Sequence, residues 1–389
     1  MSRHRPSSAT ALGLRGFPVR PSADSPSASG RGLLVATLIL AGFGLLSVYS
    51  ASSYVAQQAG RPDTYYLFQQ ASRAGIGCVA MAFASVIDYR IYRRLAWPIL
   101  GITALLLVPM LLPGTEAIAP RINGARRWLD LGVRIQPSEF VKIAVVIWTA
   151  ALAVKKQDVL GDFREGVLPF LVVIGPICLL ILLEPHFSAA MWVAVLAGTV
   201  LFAAGARIRH FAALGGAVAA LAITQVFTAQ YRLARLTAFL DPESAASTGG
   251  YQLKQSLIAI GSGGLTGVGF GRSTTKMQFL PEPQNDFIFS IISEEWGFLG
   301  AVFVIGLFAA WAHFGFRIAR SAPDLFGRLL ATGLTAGITL GAFAHIAIAL
   351  GLLPTTGVNL PFVSAGGTNL VIALGTAGIL LNVSSARER

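Results

Sequence analysis

The sequence predicts an all-α polytopic membrane protein with ten transmembrane helices, both termini cytoplasmic, and a large extracytoplasmic loop between helices 7 and 8. Three observations carry this expectation. Of the 389 residues, 54% are hydrophobic and 12% charged, against ~25% charged in a soluble chain. Apolar runs of roughly 20 residues, the length that crosses a bilayer, recur along the chain. Forty-two glycines suit close-packed membrane helices, where small residues let backbones approach. The composition excludes an ordinary soluble enzyme and a disordered chain. The long unbroken runs exclude a β-barrel of short alternating strands.

Residues 1–31 are rich in Ser, Arg and Pro with one acid, Asp24, and read as a disordered cytoplasmic tail. No apolar run precedes Leu33, so no cleavable signal peptide is expected. A membrane domain follows over 32–384, with spans near 32–53, 68–87, 95–113, 137–154, 166–184, 187–205, 210–229, 288–316, 328–352 and 361–383. Spans five and six are joined by a tight turn at Glu184-Pro185-His186. The long outer loop is 230–287, and 385–389 forms the cytoplasmic end. Cys78 and Cys178 lie inside apolar runs and read as small core residues.

The net charge of +12 belongs mainly to cytoplasmic flanks and not to nucleic-acid binding. With the N-terminus inside, 18 Lys and Arg face the cytoplasm and 11 the outside, while Lys142 lies within a span. The outer cations are the exceptions. Arg121, Arg126, Arg127 and Arg134 share one loop; Arg232, Arg235, Lys254, Arg272 and Lys276 share the long one. Long loops translocate whatever their charge; the alternative is an anionic ligand at the outer face, such as a phosphate or pyrophosphate.

Span 4 opens on Gln136-Pro137-Ser138-Glu139-Phe140-Val141-Lys142, a helix start with Pro in its first turn. Glu139 and Lys142, three residues apart, share a helix face. They form either a structural ion pair or a cation facing a polar cavity. Glu184 and His186 form a capped turn or a proton relay, and are too few for a metal site. In the long loop, Gly261-Ser262-Gly263-Gly264-Leu265-Thr266-Gly267-Val268-Gly269-Phe270-Gly271 matches no nucleotide-binding spacing. Its glycines would let backbone N–H groups approach an anion. Asp286, Glu294 and Glu295 bracket the start of span 8. The segment from Leu353-Pro354-Thr355-Thr356-Gly357 to Asn369 reads as a re-entrant or broken helix start.

Taken together, these motifs resemble the SEDS family (shape, elongation, division and sporulation) of cell-wall glycosyltransferases. The match runs through Asn-Gly-Ala-Arg-Arg-Trp at 123–128, Gln-Pro-Ser-Glu-Phe-Val-Lys at 136–142 and Gly-Tyr-Gln to Ser-Gly-Gly at 250–264. It continues through Leu-Pro-Glu-Pro at 280–283, Asp-Phe-Ile-Phe at 286–289, Leu-Pro-Thr-Thr-Gly at 353–357 and Ser-Ala-Gly-Gly-Thr at 364–368. The glycine and Leu-Pro-Glu-Pro motifs look closer to the division branch than to the rod-shape branch.

The resemblance implies polymerisation of lipid II at the outer face of the bacterial cytoplasmic membrane. The 4-hydroxyl of an acceptor GlcNAc attacks the donor MurNAc anomeric carbon, and undecaprenyl pyrophosphate leaves with inversion. It implies Asp241 or Glu243 as the catalytic base, Arg126, Arg127 and Lys142 as phosphate ligands, and Trp128 as a sugar platform. Glu139, Gln252, Ser256, Lys276, Asp286, Ser364 and Thr368, in or beside the matched motifs, complete the implied substrate-binding set. The motifs require no cofactor, a divalent cation (Mg or Mn) being the one candidate. The implied partners are a class B penicillin-binding protein and other division or elongation membrane proteins. Two positions depart from the pattern: Ala245 stands where many members carry a second loop aspartate, and His186 replaces the aspartate after span 5. The alternatives are a non-catalytic scaffold for the penicillin-binding protein and a lipid II flippase.

Overall fold

The computed structural model describes residues 26–122, 125–212, 215–216, 239, 248–277, 280 and 282–386. Its helices are α1 (Pro26–Gln58), α2 (Tyr65–Val86), α3 (Arg90–Arg94), α4 (Ala96–Leu105), α5 (Val108–Leu111), α6 (Pro137–Lys155), α7 (Leu168–Leu183) and α8 (Phe187–Ala203). After the long loop's own helix, α9 (Thr248–Ser262), come α10 (Ile288–Ser321), α11 (Leu325–Ala349) and α12 (Gly367–Ser385). A two-stranded hairpin, β1 (Leu129–Asp130) with β2 (Arg134–Ile135), precedes α6.

Among the described residues, six helical stretches are long and apolar enough to cross a membrane: Ala28–Gln58, Pro137–Lys155, Phe163–Leu183, Ile288–Ser321, Leu325–Ala349 and Gly367–Ser385. Two shorter apolar ones, Ala96–Leu111 and Phe187–Ala203, coincide with the expected third and sixth spans. α2 occupies the second span with a more polar sequence that includes Gln70 and Arg73. The expected span at 210–229 lies mostly outside the described residues.

Local chemistry sets the helix ends. Gln136 is extended and Pro137 opens α6, where a missing N–H costs nothing. Asp324 caps α11 by accepting from the Gly327 N–H at 2.8 Å. Before α7, Asp162 accepts from the Arg164 and Glu165 amides at 2.7 and 3.0 Å. The Glu165 amide, then that of Arg164, hold its carboxyl below the ordinary value. α2 packs along α12, α1 along α10, and α6 on α8 and α11. The α2–α12 contact is close because Gly378 faces the Met81 carbonyl, which a Cβ would overlap.

Three features differ from the sequence reading. First, α1 begins at Pro26, so the end of the expected tail is helical. Second, the last span begins at Gly367 and not near 361. Residues 360–364 are apolar and buried but irregular. Side chains hold them instead of a helix ladder: the Leu360 N–H donates to Ser364 Oγ at 2.8 Å, and Ser364 Oγ donates to the Asn285 carbonyl at 2.8 Å. Gln70 Nε2 donates to the Ser364 carbonyl at 3.0 Å.

Third, the glycine run is a docking strap and not an anion cradle. α10 kinks at Gly297 (φ 63°, ψ −161°), which frees the carbonyls of Glu294 and Glu295 from their usual partners. The strap supplies replacements: Val268 N–H donates to Glu294 at 3.0 Å and Gly269 N–H to Glu295 at 3.1 Å. In return, Phe298 and Leu299 donate to the Gly264 and Leu265 carbonyls at 2.9 and 3.2 Å. A Cβ at Gly263 or Gly267 would overlap the Ser293 or Glu295 carbonyl, and Gly267 has φ +82°. Gly267→Ala is therefore expected to destabilise the protein by about 1–3 kcal/mol, read as a lower melting temperature in detergent.

Candidate active site

A cavity of about 90 Å³ lies between α6, α8, α11 and α12, with Gly357, Val358, Asn359 and Pro361 along one side. That is room for several waters. Gln136, Glu139, Lys142, His186, Asn359 and Asn369 supply its polar wall. Gly333, Gly337 and Gly341 on α11 line the opposite wall. A Cβ at Gly337 would lie 3.3 Å from Leu196, so bulk there would narrow the cavity.

Lys142 is one and a half turns into α6, about 8 Å below Pro137. Its Nζ lies 2.7 Å from Glu139 Oε1. Glu139 Oε2 accepts from Asn369 Nδ2 at 3.1 Å. The carboxylate thus neutralises the lysine and fixes α12 against α6. An ammonium has three donors, so an anion in the cavity meets a charged, pre-oriented partner. Thr368 Oγ1 accepts from the Gln136 N–H at 3.1 Å and joins the same two helix starts.

His186 opens α8, its Nδ1 3.5 Å from Ser138 Oγ. Burial, then the charges of Arg127 and Lys142, hold its pKa down at about 3, so it is neutral. Glu184, two residues earlier, is buried; burial pushes its carboxyl up to about 8, against the pull of Arg127. No hydrogen bond joins Glu184 to His186 among the described residues, so the turn is not built as a relay pair. Because the folded-state pKa of Glu184 lies above its ordinary value of 4.5, its contribution is fully present in acid and is lost as pH rises through about 8. Melting temperature in detergent is expected to fall between pH 5 and 8.5, and Glu184→Gln to flatten that slope.

The other implied site residues divide by place. Arg127 donates to the Pro185 carbonyl and so braces the turn that carries His186. Arg126 pairs with Glu116 and donates to the Leu112 carbonyl at 2.9 Å. Trp128 is half-buried beside them; none of these three lines the cavity. Asp286 is half-buried before α10. Its carboxylate oxygens lie 3.8 Å from where a Cβ on Gly357 would be, and Gly357 is part of the cavity wall. Ser364 sets this rim through its bond to Asn285. Gln252 is half-buried on α9.

Two implied residues sit in packing bonds away from the cavity. Ser256 Oγ lies 2.6 Å from Ser290 Oγ and donates to the Ala349 carbonyl at 2.7 Å, tying α9 to α10 and α11. Lys276 is buried, its Nζ 2.9 Å from Glu295 Oε1 and 3.1 Å from Ser50 Oγ. Asp241 and Glu243, with Ala245, lie outside the described residues. Among the described residues no three of His, Cys, Asp or Glu gather as a metal site.

Sequence reasoning missed Asn359, Trp192 and the α11 glycines as cavity walls. Asn369 was visible as a polar residue closing a glycine-rich helix start. The others sit in apolar runs with no local mark.

Comparison with known proteins places this geometry. The family model described as "Cell cycle protein" (FtsW, RodA and SpoVE) matches residues 31–389. A probable peptidoglycan glycosyltransferase FtsW of Trichlorobacter lovleyi is 40% identical over 354 residues, covering 91% of this chain and 92% of that protein. Stage V sporulation protein E of Bacillus subtilis is 39% identical over 356 residues, covering 90% and 96%. A chain from a peptidoglycan synthase complex that coordinates polymerization and crosslinking superposes with TM-score 0.77, 27% identity, and coverage of 92% and 98%. The rod shape determining protein RodA of Thermus thermophilus gives TM-score 0.66 at 27% identity, over 92% and 96%.

Proposed function

The chain belongs to the cell cycle protein family of FtsW, RodA and SpoVE, and on that premise we propose that it polymerises lipid II with the Lys142 cavity as its pyrophosphate site. It is a peptidoglycan glycosyltransferase and a multi-pass protein of the bacterial cytoplasmic membrane. The observation that carries the site is Lys142 in the cavity wall, with the Asp286 carboxylate 3.8 Å from the Cβ position of Gly357 in the same wall.

In this reading Lys142 binds the donor pyrophosphate while Glu139 and Asn369 hold it in place. As the bond from the MurNAc anomeric carbon to the phosphate oxygen breaks, negative charge grows on that oxygen, and a fixed ammonium stabilises it. The acceptor GlcNAc 4-hydroxyl forms the new bond from the opposite face, giving inversion. Its proton goes to a carboxylate. Asp286 serves as that base among the described residues: it stands half-buried beside Gly357 of the cavity wall, two residues before α10. Asp241 and Glu243 are the competing candidates. In this reading the chain has ten spans with both termini inside, and the cavity then opens at the outer face, where the lipid-linked substrate resides. The partner is a class B penicillin-binding protein, consistent with the synthase complex that the chain resembles.

Lys142→Ala is expected to lower kcat/KM by about 10²–10³-fold, read as glycan chains formed from lipid II. Unchanged turnover would remove the cavity from the mechanism.

A further inference from the structure

Two polar side chains of α2 reach the start of α12. Gln70 donates to the Ser364 carbonyl at 3.0 Å. Arg73, one turn further into α2, lies so close to Gly367 that a Cβ there would overlap its guanidinium. Gly367 is the first residue of α12, and its missing side chain leaves the notch that the guanidinium fills. Arg73 is half-buried and makes no hydrogen bond or ion pair among the described residues. No carboxylate acts on its charge; Tyr65 and the like charge of Arg134 do. Arg134 has its own carboxylate, Asp130, at 3.2 Å. The N-terminus of α12 adds a further partial positive charge. A cation in a membrane-spanning helix is costly unless an anion meets it, and the protein surrounds this one with positive neighbours.

Two further observations give the anion its source. First, α12 stands between Arg73 and the Lys142 cavity. Gly367, Leu374 and Gly378 meet α2, whereas Asn369, Ala373 and Thr376 line the cavity. These sets occupy different faces of one helix, and no α2 residue lines the cavity. Second, Ile76, Val79 and Phe83 follow Arg73 along α2, and each is more than half exposed. Phe83 is about 15 Å from Arg73 along the helix axis. A phosphate held at Arg73 therefore continues into a hydrocarbon chain on an apolar face open to the bilayer. We infer that Arg73 binds the phosphodiester of an anionic bilayer phospholipid, with an acyl chain lying on Ile76, Val79 and Phe83. The planar guanidinium offers paired donors to phosphate oxygens. A zwitterionic lipid brings its own cation to a place that already holds two arginines, so a net negative headgroup is favoured.

The test is lipid binding by the purified full chain in detergent, titrated with phosphatidylglycerol or with phosphatidylcholine of the same acyl chains and read by native mass spectrometry. Wild type should bind one phosphatidylglycerol about tenfold tighter than phosphatidylcholine. Arg73→Gln, which keeps a polar side chain and loses the charge, should remove that preference and leave phosphatidylcholine binding unchanged. Arg73→Lys, which keeps the charge without the planar fork, should retain part of it. Arg93→Gln, at an exposed arginine beyond the far end of α2, should retain all of it. Phosphatidylglycerol should also raise the melting temperature of wild type more than that of Arg73→Gln. Wild type without a phosphatidylglycerol preference, or equal binding by wild type and Arg73→Gln, would overturn the site. Farnesyl pyrophosphate binding that falls in Arg73→Gln while phosphatidylglycerol binding stays would also overturn it, by giving the guanidinium to a lipid-linked pyrophosphate.

Discussion

Asp286→Asn is expected to reduce polymerisation of lipid II by about 10²–10⁴-fold, the range for loss of a general base. Asn keeps the shape and the polar contacts but cannot take a proton at neutral pH. The effect should fall on kcat, with KM for lipid II little changed, because the donor's charge is met by Lys142 and not by Asp286. Asp241→Ala and Glu243→Ala are the matched comparisons. If either abolishes turnover while Asp286→Asn retains it, the base lies in the 230–247 segment and Asp286 is a rim residue.

The second large effect concerns stability. Lys276→Ala is expected to cost about 3–5 kcal/mol, as removing one partner of a buried ion pair leaves an uncompensated charge. Glu295 stays buried, with Ser50 Oγ at 2.6 Å as its main remaining donor. The lost bond is also the clasp of the glycine strap, because Lys276 Nζ donates to the Gly271 carbonyl at 2.8 Å. Glu294 fastens the same strap through the Thr274 amide at 2.9 Å and hydroxyl at 3.1 Å. Thermal unfolding in detergent and proteolysis between 261 and 277 should both register the change. The paired replacement Lys276→Met with Glu295→Gln should recover much of the loss. If Lys276→Ala melts like wild type, the pair is not a clasp.

The residues that were legible from sequence are those whose partners are close in the chain. Glu139 and Lys142 are three apart on one helix, and helical spacing alone placed them together. The apolar spans at 137–154, 187–205 and 288–316 were set by hydropathy and helix-start chemistry, and they stand within a few residues at their first turns. Lys276 was not legible, because its partners Ser50 and Glu295 lie on α1 and α10; an outer-loop lysine reads as a ligand cation until its burial is known. The strap was misread for a related reason. Its glycines do bring N–H groups close to acceptors, but those acceptors are carbonyls released by a kink at Gly297, which no local pattern announces. Residues 360–364 looked like the start of a span since they are apolar, and their irregular path depends on Gln70, Asn285 and Ser364 from three separated segments. α9 escaped notice because Thr248-Gly249-Gly250 is a poor helix opening and its turns are held by Ser256 bonds to α10 and α11.

Glycan synthesis from lipid II by the purified full chain, alone and with its cognate class B penicillin-binding protein, tests the central claim most directly. The account predicts glycan strands from the wild-type complex, lost in Lys142→Ala and Asp286→Asn with complex formation intact. A wild-type chain that binds lipid II and its partner yet forms no strand under either condition would contradict it, and would make the protein a scaffold.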